Sequence, residues 1–233
     1  MSSLPWLNDN DFNFPDPDSA LKEPNGLLAA GGSLTPEHLL KAYSKGIFPW
    51  FEEDQPILWW TPDPRMVLYP DELHISKSLA KAMKQSSLRI SCDEAFERVI
   101  TACAGKRTYS DDTWITEEMI DAYCALHTMG VAHSIETWDD DKLVGGLYGL
   151  AMGDVFFGES MFSFQDNASK IAFATLVKKL SSLNYSLIDC QVSSPFLSSF
   201  GAREIPRVDF MTQLPKNAEY GRNKTHWPLQ LSS

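Results

Sequence analysis

The spacing of apolar residues changes along the chain from helical to strand-like and back. Apolar residues three and four apart predict helices over residues 36–45, 76–86, 93–104, 116–129 and 167–183. Alternation, or short apolar runs bounded by turn residues, predicts strands at 66–70, 88–93 and 186–192, and a run of three antiparallel strands across 132–162. Helices packed against a mostly antiparallel sheet define the α+β class.

Residues at both ends of two predicted helices support their boundaries. Thr35 and Thr116 are suited to cap the N-termini of the helices that follow them. Gly46 and Gly130 come directly after the ends of the same two helices, where a left-handed residue is common.

The N-terminal part of the chain differs in composition from the rest. Residues 1–24 are rich in Pro, Asp and Asn and predict an extended lead-in. An aromatic block interrupted by prolines covers residues 48–65. We therefore predict a small N-terminal domain of residues 1–65, followed by a larger domain of residues 66–233.

The composition is typical of a globular protein in a reducing compartment. Of the 233 residues, 43% are hydrophobic, and no apolar run approaches the ~20 residues needed to cross a membrane. The N-terminus has no basic start followed by an apolar stretch, so we expect no signal peptide and a cytoplasmic location. The four cysteines show no CxxC motif and no HExxH motif is present, so neither disulfides nor a metal site is predicted.

The charge is distributed unevenly. A formal net charge of −11 argues against a general nucleic-acid-binding protein. Residues 74–107 nevertheless hold seven basic and three acidic side chains, which gives this segment a net charge of +4. Within it, Lys77, Lys81 and Lys84 have helical spacing and share one face. This face is either a solvated helix surface or a local contact for phosphates.

The most informative run is LIDCQV, residues 187–192, in which a hydrophobic strand carries polar residues. Asp189 and Gln191 are two apart, so they point to one face of the strand. A buried carboxylate is costly unless it is paired. We expect Asp189 to hold the side-chain NH2 of Gln191, which leaves the Gln191 carbonyl oxygen as a fixed acceptor. A core polar network without chemistry is the alternative.

A second strand, DVFFGESMF at residues 154–162, carries another acid. A period of two places Phe157, Glu159 and Met161 on one face, beside a kink or bulge at Gly158. With Leu147 as a further wall, Phe157 and Met161 would line an apolar pocket around a polar site. Ordinary core packing is the alternative for this aromatic and methionine stripe.

Several familiar catalytic and binding motifs are absent from the sequence. The stretch GGLYG at residues 145–149 is not the GxGxxG motif, and there is neither a P-loop nor a GxSxG elbow. Glu159 and Asp189 could form the carboxylate pair of a glycosidase, but two acids alone are a weak signal for that chemistry.

Eight runs taken together are far more specific than any one of them. In chain order they are EPNGLLAAGG (23–32), GIFPWF (46–51), WWTPDPR (59–65), TWIT (113–116), HSIE (133–136), GESMF (158–162), NASK (167–170) and IDCQV (188–192). Over roughly residues 20–210 the chain resembles the leucyl/phenylalanyl-tRNA–protein transferase family. The tail beyond about Asp209 matches least, and nothing is carried over to it.

This resemblance implies a cytosolic bacterial enzyme. The enzyme would move Leu or Phe, with Met as a further donor residue, from an aminoacyl-tRNA to the α-amino group of proteins that begin with Arg or Lys. The product would be marked for N-end-rule degradation. The resemblance also implies a GNAT-type acyltransferase fold in the second domain, no metal or organic cofactor and no membrane partner. Because no self-complementary apolar stripe stands out, we expect a monomer.

The resemblance and the polar strands together suggest a mechanism. Peptide-bond formation from an ester needs a neutral amine, a proton acceptor and stabilisation of the developing oxyanion. We predict that Asp189 fixes Gln191, and that the Gln191 carbonyl oxygen accepts a hydrogen bond from the attacking α-amine. Glu159 would orient this network or bind the positive end of the acceptor. The ribose 2′-hydroxyl of the ester is an alternative proton carrier.

The donor side chain would enter the apolar pocket. Its walls are predicted to be Leu147, Phe157 and Met161, with Ile188 as a fourth wall although it lies on the strand face opposite Asp189. A β-branched Ile or Val should fit worse than Leu or Phe, by ~1–3 kcal/mol.

The remaining candidates contact the tRNA. Trp50 and Trp114 resemble the family's aromatic residues near the terminal adenosine, and Tyr43 is placed on the same surface. Phosphate contacts are predicted to come from Lys41, Lys45, Arg65, Lys77, Lys81 and Lys84. Binding should then weaken steeply with salt, over a small footprint at the acceptor end of the tRNA.

Two other function classes stay open. A GNAT-type N-acyltransferase that uses acyl-CoA would need a Gly-rich turn for the pyrophosphate, and the nearest segment, residues 164–167, has no glycine. A non-catalytic module that binds tRNA or protein N-termini would keep its function when Asp189 or Gln191 is replaced by Ala.

Overall fold

The structure is a computed structural model that describes residues 4–9, 13–105 and 115–214. The strands are β1 (Trp6–Leu7), β2 (Leu27–Gly31), β3 (Phe48–Pro49), β4 (Leu58–Trp60), β5 (Arg65–Leu68), β6 (Arg89–Cys92), β7 (Ala132–Asp139), β8 (Lys142–Met152), β9 (Val155–Ser163), β10 (Leu187–Gln191) and β11 (Arg203–Ile205). The helices are α1 (Pro36–Tyr43), α2 (Lys77–Gln85), α3 (Phe96–Ala104), α4 (Glu117–Thr128), α5 (Ala168–Ser182), α6 (Pro195–Ser198) and α7 (Arg207–Gln213). None of these helices combines the length and apolar character that crossing a membrane requires.

The described strands form two sheets. The small sheet has the order β1-β2-β4-β3, and the large sheet has the order β11-β5-β10-β9-β8-β7-β6. Within the described part of the large sheet, every pair is antiparallel except β9 with β10. Helix α5 connects these two strands, which is the crossover that parallel neighbours require. The predicted α+β class with a mostly antiparallel sheet is confirmed.

The predicted helix caps are present. The side-chain oxygen of Thr35 accepts from the N–H of His38, and that of Thr116 accepts from the N–H of Met119, both at 3.3 Å. The three predicted antiparallel strands are β7, β8 and β9. The division of the chain at residue 65 stays a prediction, and Arg65 itself is the first residue of β5 in the large sheet.

Two apolar cores lie on opposite faces of the large sheet, because successive strand residues alternate between them. The front core includes Tyr43 of α1, Tyr123 of α4 and Phe157 of β9. The back core includes Phe156 of β9 and Ile188 of β10, together with residues of α2 and α5. The side chain of any residue on β9 or β10 can therefore be assigned to the front or the back.

Helix α3 begins without a side-chain cap of its own, because its N-cap residue is Ala95. The buried carboxylate of Glu136 on β7 lies at that position instead. It accepts from the N–H of Ala95 at 3.4 Å and from the hydroxyls of Ser134 and Ser91 at 2.5 Å each. A negative charge at a helix N-terminus is favourable, so Glu136 joins α3 to the sheet.

We expect Glu136→Ala to lower the free energy of unfolding by on the order of 3 kcal/mol, because it leaves several buried donors without their charged acceptor. Urea denaturation measures this loss. Glu94→Ala is the matched control, since Glu94 is exposed and its side chain pairs with the exposed Arg89; its loss should stay below ~1 kcal/mol. Equal losses in the two variants would contradict the anchoring role of Glu136.

Candidate active site

Strands β9 and β10 pair with each other only near their beginnings. The parallel ladder ends at Asp189 and Phe157. Just beyond that point, the side-chain Nε2 of Gln191 on β10 donates to Oε1 of Glu159 on β9 at 2.8 Å. The structure therefore brings two of the predicted catalytic residues together, at the place where the two strands stop pairing.

Glu159 lies in a β-bulge. Gly149 of β8 pairs with Gly158, and the preceding Tyr148 pairs with Ser160, so Glu159 is left without a partner on β8. Position 149 requires glycine, because a Cβ there would lie 2.2 Å from a carbonyl oxygen of β9. An extra residue in one strand reverses which face the side chains beyond it point to.

The bulge overturns part of the predicted pocket. Phe157 lies in the front core, with its ring centroid 5.3 Å from that of Tyr43. Leu147 and Ile188 lie in the back core, and Met161 packs against them. Grouping Phe157 with Met161 and Leu147 is therefore wrong. The prediction assumed strict alternation of side chains along β9, but the extra residue Glu159 lies between Phe157 and Met161 and places them on opposite faces. A donor pocket formed by the three residues on the back side stays a prediction.

Two buried tyrosines bind Glu159 from the front helices. The hydroxyl of Tyr43 donates to Oε1 at 2.7 Å, and the hydroxyl of Tyr123 lies 3.1 Å from Oε2. The sequence pattern does not single out Tyr123, because it falls within an ordinary amphipathic helix. The family resemblance also placed Tyr43 on a surface that faces the adenosine. That placement is wrong, since the Tyr43 side chain is buried and its hydroxyl is committed to Glu159.

The two tyrosine hydroxyls also lie 2.5 Å from each other, so both phenols and the carboxylate of Glu159 form one hydrogen-bonded cluster. Burial raises the pKa of Glu159 to about 7, and the neighbouring Asp189 adds to the effect, while hydrogen bonds from Tyr43, Tyr123 and Gln191 oppose it. Glu159 can therefore gain or lose a proton near neutral pH.

The raised pKa of Glu159 makes stability depend on pH. Between the ordinary value of 4.5 and the folded value of about 7, the native protein binds this proton more tightly than the unfolded chain does. The stabilisation is complete below the unfolded value and is lost as the pH rises through the folded value. As the pH rises through this window, we expect the free energy of unfolding of the wild type to fall by up to about 3 kcal/mol more than that of Glu159→Gln. The partial exposure of Glu159 to solvent reduces this difference. Urea unfolding at the two pH limits measures the difference, and an identical pH dependence in both proteins would contradict it.

Asp189 is held by Arg65. Nε and Nη2 of Arg65 donate to Oδ1 and Oδ2 of Asp189 at 2.8 and 2.6 Å, and both side chains are fully buried. Oδ1 also accepts from the backbone N–H of Gln191 at 2.9 Å. Two predictions are therefore wrong. Asp189 does not hold the side-chain amide of Gln191, which bonds to Glu159, and Arg65 does not reach a phosphate, because its guanidinium is enclosed in the core.

Gln191 has an unusual backbone conformation. Its φ is 64°, at the point where the register between β10 and β5 shifts. A residue other than glycine persists there only when its surroundings hold it. Its Nε2 is fixed on Glu159, and among the described residues none donates to its Oε1. The side-chain carbonyl oxygen is therefore available as an acceptor.

The predicted tRNA-contacting residues are only partly grouped. Trp50 is 44% exposed beside Trp60, whereas Trp114 lies outside the described residues. Lys41 is exposed on α1, and Lys45 is half-buried with its Nζ 3.4 Å from a backbone oxygen of the N-terminal segment. Their roles stay predictions.

The predicted lysine face is present on α2. Lys77, Lys81 and Lys84 are all exposed, as their helical spacing predicts. Helix α2 packs on the back core through Leu79, whereas the Glu159 cluster lies on the front side. These lysines and Lys41 therefore lie on opposite sides of the large sheet. A single phosphate-binding surface would have to extend around the sheet to include them all.

The chain was compared with known proteins. Residues 67–215 match the family described as Leucyl/phenylalanyl-tRNA protein transferase, and residues 32–63 match the N-terminal domain of that family. The leucyl/phenylalanyl-tRNA–protein transferase of Pseudomonas syringae pv. tomato is 60% identical, over 91% of this chain and 92% of the relative. That of Hahella chejuensis is 57% identical, over 92% and 91%. A solved GCN5-related N-acetyltransferase from Kribbella flavida is similar at 9% identity and a TM-score of 0.38, over 70% of this chain and 58% of that one.

Proposed function

The chain belongs to the leucyl/phenylalanyl-tRNA protein transferase family, and we propose that it moves Leu or Phe, with Met as a further donor residue, from an aminoacyl-tRNA to proteins that begin with Arg or Lys. The new peptide bond forms at the α-amino group and marks the acceptor for N-end-rule degradation. We assign this activity to a cytoplasmic monomer that uses neither a cofactor nor a membrane.

One observation carries the proposal. Gln191 presents a carbonyl oxygen that no described residue contacts as a donor, while its amide is fixed on Glu159. An ester is already activated, so aminolysis depends mainly on positioning and on an acceptor for the proton of the amine. This arrangement can supply both, because the hydrogen bond from Nε2 of the same amide to Glu159 holds the oxygen in place.

In the proposed step, the neutral α-amine donates a hydrogen bond to Oε1 of Gln191 while its lone pair attacks the ester carbonyl carbon. The C–N bond forms, the bond from that carbon to the ribose oxygen breaks, and the amine proton ends on the departing ribose oxygen. An amide oxygen is a weak base, so the ribose 2′-hydroxyl or Glu159 carries the proton on its way. Ionised Glu159 would also favour the positive end of the acceptor.

The test is transfer of labelled Leu from charged tRNA to two peptides that differ only in an N-terminal Arg or Ala. We expect labelled product only with the Arg peptide. Equal labelling of both peptides would contradict the acceptor assignment. Labelling from leucyl-CoA but not from charged tRNA would replace the donor, and tight binding without labelling from either donor would favour a binding module.

A stacking role for Trp50 has a measurable consequence. Trp50→Ala should raise the KM for charged tRNA by about 5- to 150-fold, which corresponds to the ~1–3 kcal/mol of one stacked base, and should leave kcat unchanged. Trp6→Ala is the matched control, because Trp6 is 67% exposed on β1, at the other edge of the small sheet from β3. An unchanged KM in Trp50→Ala would remove Trp50 from the tRNA site.

A further inference from the structure

The ion pair between Arg65 and Asp189 is poorly suited to stabilise the fold. Both side chains are completely buried, and among the described residues Nη1 of Arg65 has no hydrogen-bond partner. Removing two charges from water costs free energy, so replacing a buried ion pair with well-packed apolar side chains of the same volume is often neutral or stabilising. An unsatisfied buried N–H adds to that cost. The pair therefore calls for an explanation other than stability.

The hydrogen bonds of the pair connect Arg65 to the backbone of Gln191. Arg65 binds both oxygens of Asp189, which fixes the plane of the carboxylate. Beyond Arg65, the side chain of Asp189 has one described partner, the backbone N–H of Gln191. Because Asp189 is fully buried, it acts on the site through the backbone of Gln191 and through its charge beside Glu159, and only the first of these depends on the orientation of its carboxylate.

The surroundings of Arg65 hold its guanidinium in one position. The ring centroids of Phe48 on β3 and Phe210 on α7 lie 4.8 and 4.6 Å from its central carbon. Helix α7 is itself fixed, because the N–H of Arg207 donates to Asp63 at 3.0 Å. The small sheet and the last described helix thus enclose the guanidinium, and its hydrogen bonds to described residues all go to Asp189.

We propose that Arg65 is a positioning residue for the transfer reaction. Through Asp189, it holds Gln191 in the left-handed conformation that directs the Gln191 side chain to Glu159. Without the guanidinium, the carboxylate of Asp189 is free to rotate, and the backbone N–H of Gln191 loses its fixed acceptor. Gln191 then relaxes toward the extended region, which turns its amide away from Glu159. This inference rests on the proposed function, and it adds a residue that touches no substrate.

The test uses Arg65→Lys, which keeps the charge but loses the two-point contact with Asp189. Transfer kinetics and hydrogen exchange of single backbone amides are measured on the same protein. We expect kcat to fall by about 100-fold with KM for both substrates unchanged, because a shift of about 1 Å is enough for such a loss. We also expect the Gln191 amide to exchange faster, while the amide of Ile188, the second residue of β10, keeps its protection.

Glu136→Ala is the matched control. It is expected to lower stability at the start of α3, and the described hydrogen bonds of Glu136 go to Ser91, Ser134 and Ala95, away from Asp189 and α7. A general loss of stability would affect both variants alike, whereas a positioning role predicts that only Arg65→Lys changes kcat and the exchange of the Gln191 amide. If both variants lose kcat equally, Arg65 is structural and the proposal fails.

Further outcomes separate the two proposals. Unchanged kcat in folded Arg65→Lys overturns the positioning role, as does a loss of kcat with full protection of the Gln191 amide. If Arg65→Lys does not fold, the double variant Arg65→Met/Asp189→Leu is used instead, because it leaves no unpaired buried charge. A wild-type kcat in this variant overturns the positioning role. A folded but inactive protein with an unprotected Gln191 amide supports it. If the wild type transfers nothing, the proposed function fails, and hydrogen exchange still reports whether Arg65 holds Gln191.

Discussion

Asp189→Ala is expected to lower the free energy of unfolding by about 3–5 kcal/mol, because it leaves the buried charge of Arg65 without a partner. Among the described residues, no other side chain forms an ion pair or hydrogen bond with that guanidinium. Urea denaturation gives the loss directly. Transfer activity should also disappear, but part of that loss would come from the lower stability, so activity has to be expressed per folded molecule.

The double variant Arg65→Met/Asp189→Leu separates these two effects. It removes both charges and fills the space with apolar side chains, so most of the lost stability should return. Activity should not return, because the backbone N–H of Gln191 still lacks its acceptor. Wild-type stability in Asp189→Ala would contradict the buried ion pair, and full activity in the double variant would contradict its role in the site.

Gln191→Met is expected to lower kcat for Leu transfer by about 10²–10⁴-fold, the range associated with loss of a positioned proton-transfer group. Methionine has nearly the same length and no amide, so it removes both the free carbonyl oxygen and the hydrogen bond to Glu159. KM for charged tRNA should stay within about threefold if Gln191 acts mainly in the transition state. Single-turnover measurements with saturating peptide report the chemical step.

Cys190→Ala is the matched control for Gln191→Met. Cys190 is the preceding residue on β10, and its side chain lies in the back core, away from Glu159. We expect its kcat to stay within about threefold of the wild type. A wild-type kcat in folded Gln191→Met would contradict the acceptor role and leave the ribose 2′-hydroxyl or Glu159 to take the proton directly from the amine.

Local features of the fold could be predicted from the sequence because they depend on residues close together in the chain. Thr35 and Thr116 cap their helices through N–H groups three residues later, and alternation over a few residues revealed β7, β8 and β9. The parallel pairing of β9 with β10 could not be predicted, since the apolar pattern of a strand does not specify its neighbour.

The site was predicted less completely because its contacts join distant parts of the chain. Arg65 and Asp189 are 124 positions apart, and Tyr43 and Tyr123 are 80 apart. Arg65 was predicted to contact a phosphate, whereas it begins an interior strand and its side chain is fully buried against Asp189. A kink or bulge was predicted at Gly158, and the extra residue is its neighbour Glu159. The predicted pocket was wrong because the alternation was still counted by twos across this position, beyond which the side chains point to the opposite face.

The central claim is that Glu159 and Gln191 act as one unit, and a double-mutant cycle tests it most directly. Single-turnover rates of Leu transfer to an Arg peptide are measured for the wild type, Glu159→Gln, Gln191→Met and the variant with both changes. If the 2.8 Å hydrogen bond between them carries the activity, the double variant should be no slower than the slower single variant, within about threefold. A rate loss in the double variant equal to the product of the two single losses would show that the residues act independently and would contradict this account.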